Sequence, residues 1–272
     1  MALDLFHIAF YRFVRIADPD AVATWLRRIA SGLSGQVVVA PEGINGTLAG
    51  TRQALDVFEQ MLGDDPAAGG RFGGMHCQRT ACRTPPFGRL AVRVRPEILP
   101  LGIGGVDPVG HRGCRLTPDE WRRVLDDERT VLLDNRNRFE FRLGRFRGAI
   151  EPGVSNFRDL PATLARHAAT WKADARPVAM YCTGGIRCEK TAAWMADAFG
   201  IEPLQLDGGI LRFLAEAPDP GRDWQGECFV FDNRIALDAR LEETATTAAQ
   251  VYAGDPDESW RLRRAERLDG SA

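Results

Sequence analysis

At positions 182–187 the chain reads Cys-Thr-Gly-Gly-Ile-Arg, directly after the apolar run Pro177–Tyr181 and directly before a helical pattern over 188–199. A cysteine that ends a buried strand and precedes a glycine-rich turn and a helix meets converging backbone N–H groups and the positive end of the helix dipole. Both favour thiolate over thiol, and cysteines so placed drop from about 8.5 to roughly 3.5–7.5. The predicted chemistry is therefore nucleophilic, with Cys182 as nucleophile. Gly184 and Gly185 allow the backbone a tight curve and leave room for a substrate. Arg187 is expected as a fixed cation at the rim and as a catalytic residue that, with the loop amides, stabilises a developing oxyanion. Thr183, Gly184, Gly185 and Ile186 supply the loop amides that would face a developing oxyanion or the substrate. Cys188, six residues beyond Cys182, is either a second, resolving thiol or a packed helix residue, and packing is the more ordinary role. Glu189 and Lys190 either orient a substrate or form local ion pairs.

Loop length separates two known cysteine chemistries. Phosphatases use C-x5-R, which encloses a tetrahedral phosphate, whereas this chain has C-x4-R with cysteine at 188. The smaller loop resembles that of the rhodaneses, which are sulfurtransferases. The remaining cysteines, 77, 82, 114 and 228, form no C-x-x-C pair and there is no H-E-x-x-H, so no metal site is predicted. His76, Cys77, Cys82, His111 and Cys114 could be imagined as ligands, but free cysteines commonly pack as small hydrophobes. No phosphate-cradling or dinucleotide-binding glycine motif is present.

Two units are expected to position these residues. The first hundred read β-α-β-β-α-β, a ferredoxin-like order. Its strands are 5–14, 36–40, a return at 47–49 after a turn at Pro41–Gly46, and 88–95. Its helices are 19–31, capped by Asp18 with Pro19 first, and 51–62. Four glycines at 69, 70, 73 and 74 read as loop, and 96–115, rich in Pro and Gly, as a connection. Thr117-Pro118-Asp119-Glu120 supplies a cap, a first-turn proline and a capping-box glutamate. Short apolar strands at 130–134, 177–181 and 203–206 then alternate with helices at 157–172, 188–199 and up to Leu214, which predicts a parallel α/β layer. The assignment is thus an α+β ferredoxin-like domain at 1–98, a linker at 99–116, a parallel α/β catalytic domain at 117–237 and a C-terminal extension at 238–272.

CTGGIRCEK (182–190) resembles the signature of the tRNA uridine(34) hydroxylase family. FYRFV (10–14), APEGINGTLAG (40–50), VRVRPEILPLG (92–102), LLDNRNRFEFRLGRFRGAI (132–150) and GECFVFDNRIAL (226–237) are similar to family strings in the same order. The resemblance implies an acylphosphatase-like N-terminal domain joined to a rhodanese-like domain. It implies hydroxylation of the tRNA wobble uridine to 5-hydroxyuridine, with molecular oxygen as co-substrate and Cys182 essential. It permits a persulfide on Cys182 without requiring one. Many members continue into a cysteine-rich C-x-x-C-R-like segment. This chain has no cysteine after Cys228, so a metal or thiol function of the tail is not implied.

Reaching a wobble base requires an anticodon stem–loop as partner. Net charge is −2, yet 33 of 35 basic residues are arginine, and 71–100 carries six of them against Glu97 alone. That segment is either a phosphate-binding face or a solvated strand. Arg89, Arg93, Arg95 and Arg136 are the candidate tRNA contacts. No segment is long and apolar enough to span a membrane and the start is a poor signal peptide, so a cytoplasmic enzyme without an obligate protein partner is expected. Three other readings compete. A thiosulfate or persulfide sulfurtransferase would use the same Cys182 but has no use for the N-terminal domain. An inert binding module would not need the cysteine. A phosphatase has the wrong loop length.

Overall fold

A computed structural model describes residues 4–64, 69–111, 113–252 and 256–268. The chain divides into two units, one of residues up to Pro100 with Asp107–Gly110, the other of Leu101–Val106 with the chain from His111 onward. The segment 99–116 is therefore shared between them.

The first unit runs β1 (Leu5–Phe13), α1 (Pro19–Ile29), β2 (Ser34–Ala40), β3 (Gly43–Thr51), α2 (Arg52–Asp64), β4 (Gln78–Cys82) and β5 (Leu90–Val94). Its sheet has the order β4-β1-β3-β2-β5. β1 pairs antiparallel with β3 and β4, while β5 lies parallel to β2. The first four positions are the ferredoxin-like arrangement. Its fourth strand is β4, not the expected 88–95, which is instead an added edge strand. In β4 only Thr80 and Cys82 are buried, so its apolar alternation is too weak to announce a strand. Gly43–Gly46 also differs from expectation, lying in β3 rather than in a turn. A Cβ at Gly46 would stand 2.6 Å from the Phe10 ring and one at Gly43 2.0 Å from the Arg12 carbonyl oxygen, so these glycines admit a close neighbour. Asp18 caps α1 as expected, accepting from the Ala21 N–H at 2.9 Å. α1 and α2 close one sheet face around Phe10, Leu26, Val37, Leu48, Leu55 and Phe58.

The second unit opens with β6 (Arg115–Leu116), α3 (Pro118–Asp126), β7 (Val131–Asp134), α4 (Arg138–Leu143) and β8 (Gly144–Phe146). It continues through α5 (Leu160–Ala173), β9 (Val178–Tyr181), α6 (Ile186–Phe199), β10 (Leu204–Leu206) and α7 (Gly209–Glu216). β11 (Trp224–Gly226), β12 (Cys228–Phe229), β13 (Ala236–Leu237), α8 (Ala248–Tyr252) and α9 (Ser259–Leu268) complete it. The sheet order is β6-β10-β9-β7, all parallel. All four residues of β7 and of β9 are buried, as a sheet covered on both faces requires. The capping box at α3 is formed, with Thr117 N–H on Glu120 Oε2 at 2.8 Å. Described residues of the tail are docked: Val251 and Tyr252 pack with Phe139 and Phe229, and Arg261 Nη2 donates to the Asn156 side chain at 2.9 Å. No helix among the described residues is long and apolar enough to cross a membrane.

Candidate active site

Cys182 follows β9, an interior strand of the parallel sheet, at the carboxyl end where ligands bind in such sheets. The chain turns through Thr183–Gly185 and enters α6, so the sulfur sits at the helix N-terminus. Gly185 N–H donates to Cys182 Sγ at 3.1 Å. The Cys188 backbone N–H and its thiol S–H also donate to that sulfur. Burial alone raises the thiol pKa. The Cys188 thiol, the Arg187 charge and the two N–H groups outweigh it and bring Cys182 down to about 5. The nearby thiols behave oppositely. Burial, followed by the hydrogen bond to Cys182, pushes Cys188 well above its usual range, and burial lifts Cys228 to about 12. At neutral pH the site holds one thiolate, Cys182, with Cys188 as its protonated donor.

Arg187 is not a rim cation. It is 6% exposed, and its guanidinium faces inward. Nη1 donates to Glu140 Oε2 at 2.7 Å and Nη2 to Glu140 Oε1 at 2.8 Å, a fork-on-fork pair. Nη2 also reaches Thr183 Oγ1 at 3.0 Å, which ties the loop to the pair. Glu140 is fully buried. Burial raises its pKa, but the Arg187 charge and hydrogen bonds prevail and hold it ionised. Glu140 in turn accepts the Asn137 N–H at 3.1 Å, which anchors α4 at its first turn.

Beneath this pair lies a second buried arginine. Arg136 was a candidate tRNA contact, but it has no exposed surface. Its Nε and Nη2 hold Asp134 at 2.9 and 2.6 Å, Nη2 also reaches the Gly144 carbonyl, and Tyr181 Oη donates to Asp134 at 2.7 Å. Arg136 therefore fastens the end of β7 to β9 and is corrected from RNA contact to scaffold. Lys190 is likewise buried at 1% exposure and belongs to the packing of α6 rather than to an open substrate rim. Arg93 on β5 of the first unit and Arg89 and Arg95 just beyond its two ends are exposed.

The loop is braced from behind by the Asp207-Gly208-Gly209 turn. Ile210 and Leu211 N–H groups donate to the Cys182 and Thr183 carbonyls at 3.0 and 3.1 Å. A Cβ at Gly209 would stand 2.4 Å from the Cys182 carbonyl oxygen, so only glycine permits this approach. On the outer side Thr183, Gly184 and Ile186 are partly exposed, and open space lies over Gly184. Cys182 itself has no exposed surface, so these three residues are the part of its loop that solvent reaches. Among the described residues no group of His, Cys, Asp and Glu is arranged to hold a metal ion. Sequence reasoning missed Glu140, Gly209 and Phe231, whose ring lies 5.8 Å from the Arg187 guanidinium. The Asn137-x-x-Glu140 spacing signals a helix start, but nothing in it names Arg187 as partner.

Residues 6–98 match the UPF0176 acylphosphatase-like domain and residues 117–216 the rhodanese-like domain. Three similar proteins carry the name tRNA uridine(34) hydroxylase. That of Legionella pneumophila (strain Paris) is 37% identical over 92% of this chain and 96% of its own length. That of Synechococcus elongatus is 41% identical over 88% of both chains. The Bradyrhizobium diazoefficiens protein is 39% identical over 86% of this chain and 92% of its own length.

Proposed function

The chain belongs to the tRNA uridine(34) hydroxylase family, and from that premise we propose that it hydroxylates the wobble uridine of tRNA at C5, with Cys182 as nucleophile. The similarity along both domains to relatives bearing this name carries the reading. The thiolate at Cys182 supports its chemical part.

Uridine C5 is too weakly nucleophilic to take oxygen unaided. Addition of the Cys182 thiolate to C6 forms an S–C6 bond and moves the C5–C6 electron pair onto C5 and O4 as an enolate. Amides of the Thr183–Ile186 turn are the donors available to O4. Arg187, committed to Glu140 and Thr183, acts instead as the fixed charge that keeps Cys182 ionised. One atom of molecular oxygen bonds to C5. The other leaves as water, with two electrons and two protons from a thiol-class donor, two R–SH becoming R–S–S–R. Loss of the C5 proton then expels Cys182 as thiolate and restores the C5–C6 double bond, giving 5-hydroxyuridine.

The anticodon stem–loop is the partner, held by its phosphates. The exposed arginines 89, 93 and 95 are the candidate contacts, and the enzyme acts in the cytoplasm with its tRNA. Sulfur transfer through a Cys182 persulfide would use the same thiolate, but this reaction does not require it. The test weighs wobble uridines by mass spectrometry in cells lacking the gene and complemented with wild type or Cys182→Ser. A one-oxygen increment is expected with wild type alone. An unchanged uridine in every strain overturns the reading, and thiosulfate-to-cyanide transfer is then the assay for the alternative.

A further inference from the structure

Large apolar side chains exposed among the described residues include Val57, Ile150, Phe231 and Trp260. Phe231 differs in what holds it and in what it touches. It is 51% exposed, although Phe229 and Val230 before it are 2% and 5%. The backbone around it is fixed. Val230 N–H donates to the Ile235 carbonyl at 2.9 Å, and Ile235 N–H to the Asp232 carbonyl at 3.0 Å. Asp232 is gripped by Arg234 through its backbone N–H at 3.0 Å, Nε at 2.8 Å and Nη2 at 2.7 Å. Both of those side chains are buried. The Phe231 ring stands edge-to-face with Phe229 at 4.9 Å and Phe139 at 6.4 Å. The Arg187 guanidinium lies 5.8 Å from its centroid. A rigidly held phenyl ring is thus kept in solvent beside the last residue of the Cys182 loop.

We infer that Phe231 is the platform on which the wobble uracil stacks when it is presented to Cys182. This rests on the tRNA reading above and adds the residue that receives the base. A base drawn out of an RNA loop loses its stacking neighbours, and proteins that take such bases replace them with aromatic faces. Stacking suits a neutral pyrimidine. It needs no hydrogen bond from a loop whose arginine is already paired with Glu140. The neighbouring Phe139 is on α4, one residue before Glu140, so platform and thiolate share a support.

The test is a binding cycle with the full chain. Anticodon stem–loops with uridine or an abasic residue at position 34 are titrated against wild type, Phe231→Ala, Phe231→Trp and Val57→Ser. Loss of one base–aromatic stack weakens binding of the uridine stem–loop to Phe231→Ala by roughly 5- to 150-fold. Phe231→Trp and Val57→Ser keep wild-type affinity. The abasic stem–loop binds wild type and Phe231→Ala equally. Wild-type affinity in Phe231→Ala, or the same loss on abasic RNA, overturns the inference. Should Phe231→Ala melt early, Phe231→Leu carries the test, because it keeps apolar bulk and loses only the aromatic face. Oxygen incorporation is scored separately. A wild type that binds with this pattern but adds no oxygen refutes the hydroxylase reading and leaves the platform standing. Undiminished hydroxylation by Phe231→Ala refutes the platform alone.

Discussion

Replacing Cys188 by alanine removes one donor from the Cys182 thiolate while leaving the backbone N–H donors of Gly185 and Cys188 in place. A hydrogen bond to a charged group contributes about 1.5–3 kcal/mol, and S–H is a weak donor, which puts this one at the lower end. At about 1.4 kcal/mol per pK unit the loss raises the Cys182 pKa by about one unit, since the donor favours only the charged form. The wild-type value of about 5 thus becomes about 6. At pH 6 the thiolate fraction falls from about nine-tenths to about half. Thiolate ultraviolet absorbance, titrated between about pH 4 and 9 with Cys182→Ser as the blank, reads this directly. The blank removes the other thiols, and Cys188 and Cys228 are themselves held above their usual range by burial. A Cys188→Ala midpoint unchanged from wild type refutes the thiol-to-thiolate hydrogen bond. A wild-type midpoint near the ordinary thiol value refutes the account of the whole cradle.

The same shift couples to stability. The folded value of about 5 lies below the unfolded value of about 8.5, so between them the unfolded chain binds more protons. The contribution of Cys182 is complete above about pH 8.5 and is lost as pH falls toward 5, by roughly 1.4 kcal/mol per unit. The unfolding free-energy difference between wild type and Cys182→Ser in urea should rise with pH across that window, and a flat difference contradicts it. Glu140→Ala strands the buried Arg187 charge and should cost about 3–5 kcal/mol, while the Cys182 titration does not move upward, since Arg187 then acts uncompensated. Unaltered stability would show that the pair is not what holds the loop. Charge reversal at Arg93 and Arg95 together should weaken tRNA binding and reduce its salt slope by about two. A slope equal to wild type excludes β5 as an RNA contact.

The parts legible in the sequence are those whose cause is local. Cys182, its glycine turn and the start of α6 are contiguous, so strand end, thiolate and helix N-terminus could be read together. The Asp18 cap and the Thr117–Glu120 box were equally self-contained. What failed needed a partner from elsewhere. Arg187 followed the loop and looked like a rim cation, until α4 brought Glu140 in 47 residues earlier and turned the guanidinium inward. The basic segments did not separate exposed from buried arginines. Arg93 faces solvent on an edge strand, whereas Arg136 is enclosed by Asp134 and Tyr181. β4 escaped because an edge strand of mixed polarity carries little periodic signal, while the cleaner alternation at 88–95 belonged to a strand outside the ferredoxin core.

One local pattern did hold information about the site. Asp-Asn-Arg occurs at 134–136 and again at 232–234. In both copies the arginine backbone N–H and Nε donate to one aspartate oxygen and Nη2 to the other. The tripeptide closes on itself because its acid and base are two residues apart, and each closed turn then fixes what adjoins it. The first ends β7 and launches the chain toward Glu140, which sets the charge beside Cys182. The second follows Phe231 and holds that ring in solvent against the same Arg187. Two copies of one turn thus lead to the two neighbours of Arg187, the Glu140 carboxylate that pairs with it and the Phe231 ring beside it. Opening the second turn with Asp232→Ala should therefore reproduce the RNA-binding loss of Phe231→Ala while leaving the Cys182 titration in place. A variant that loses the thiolate as well would show that the two are not separately built.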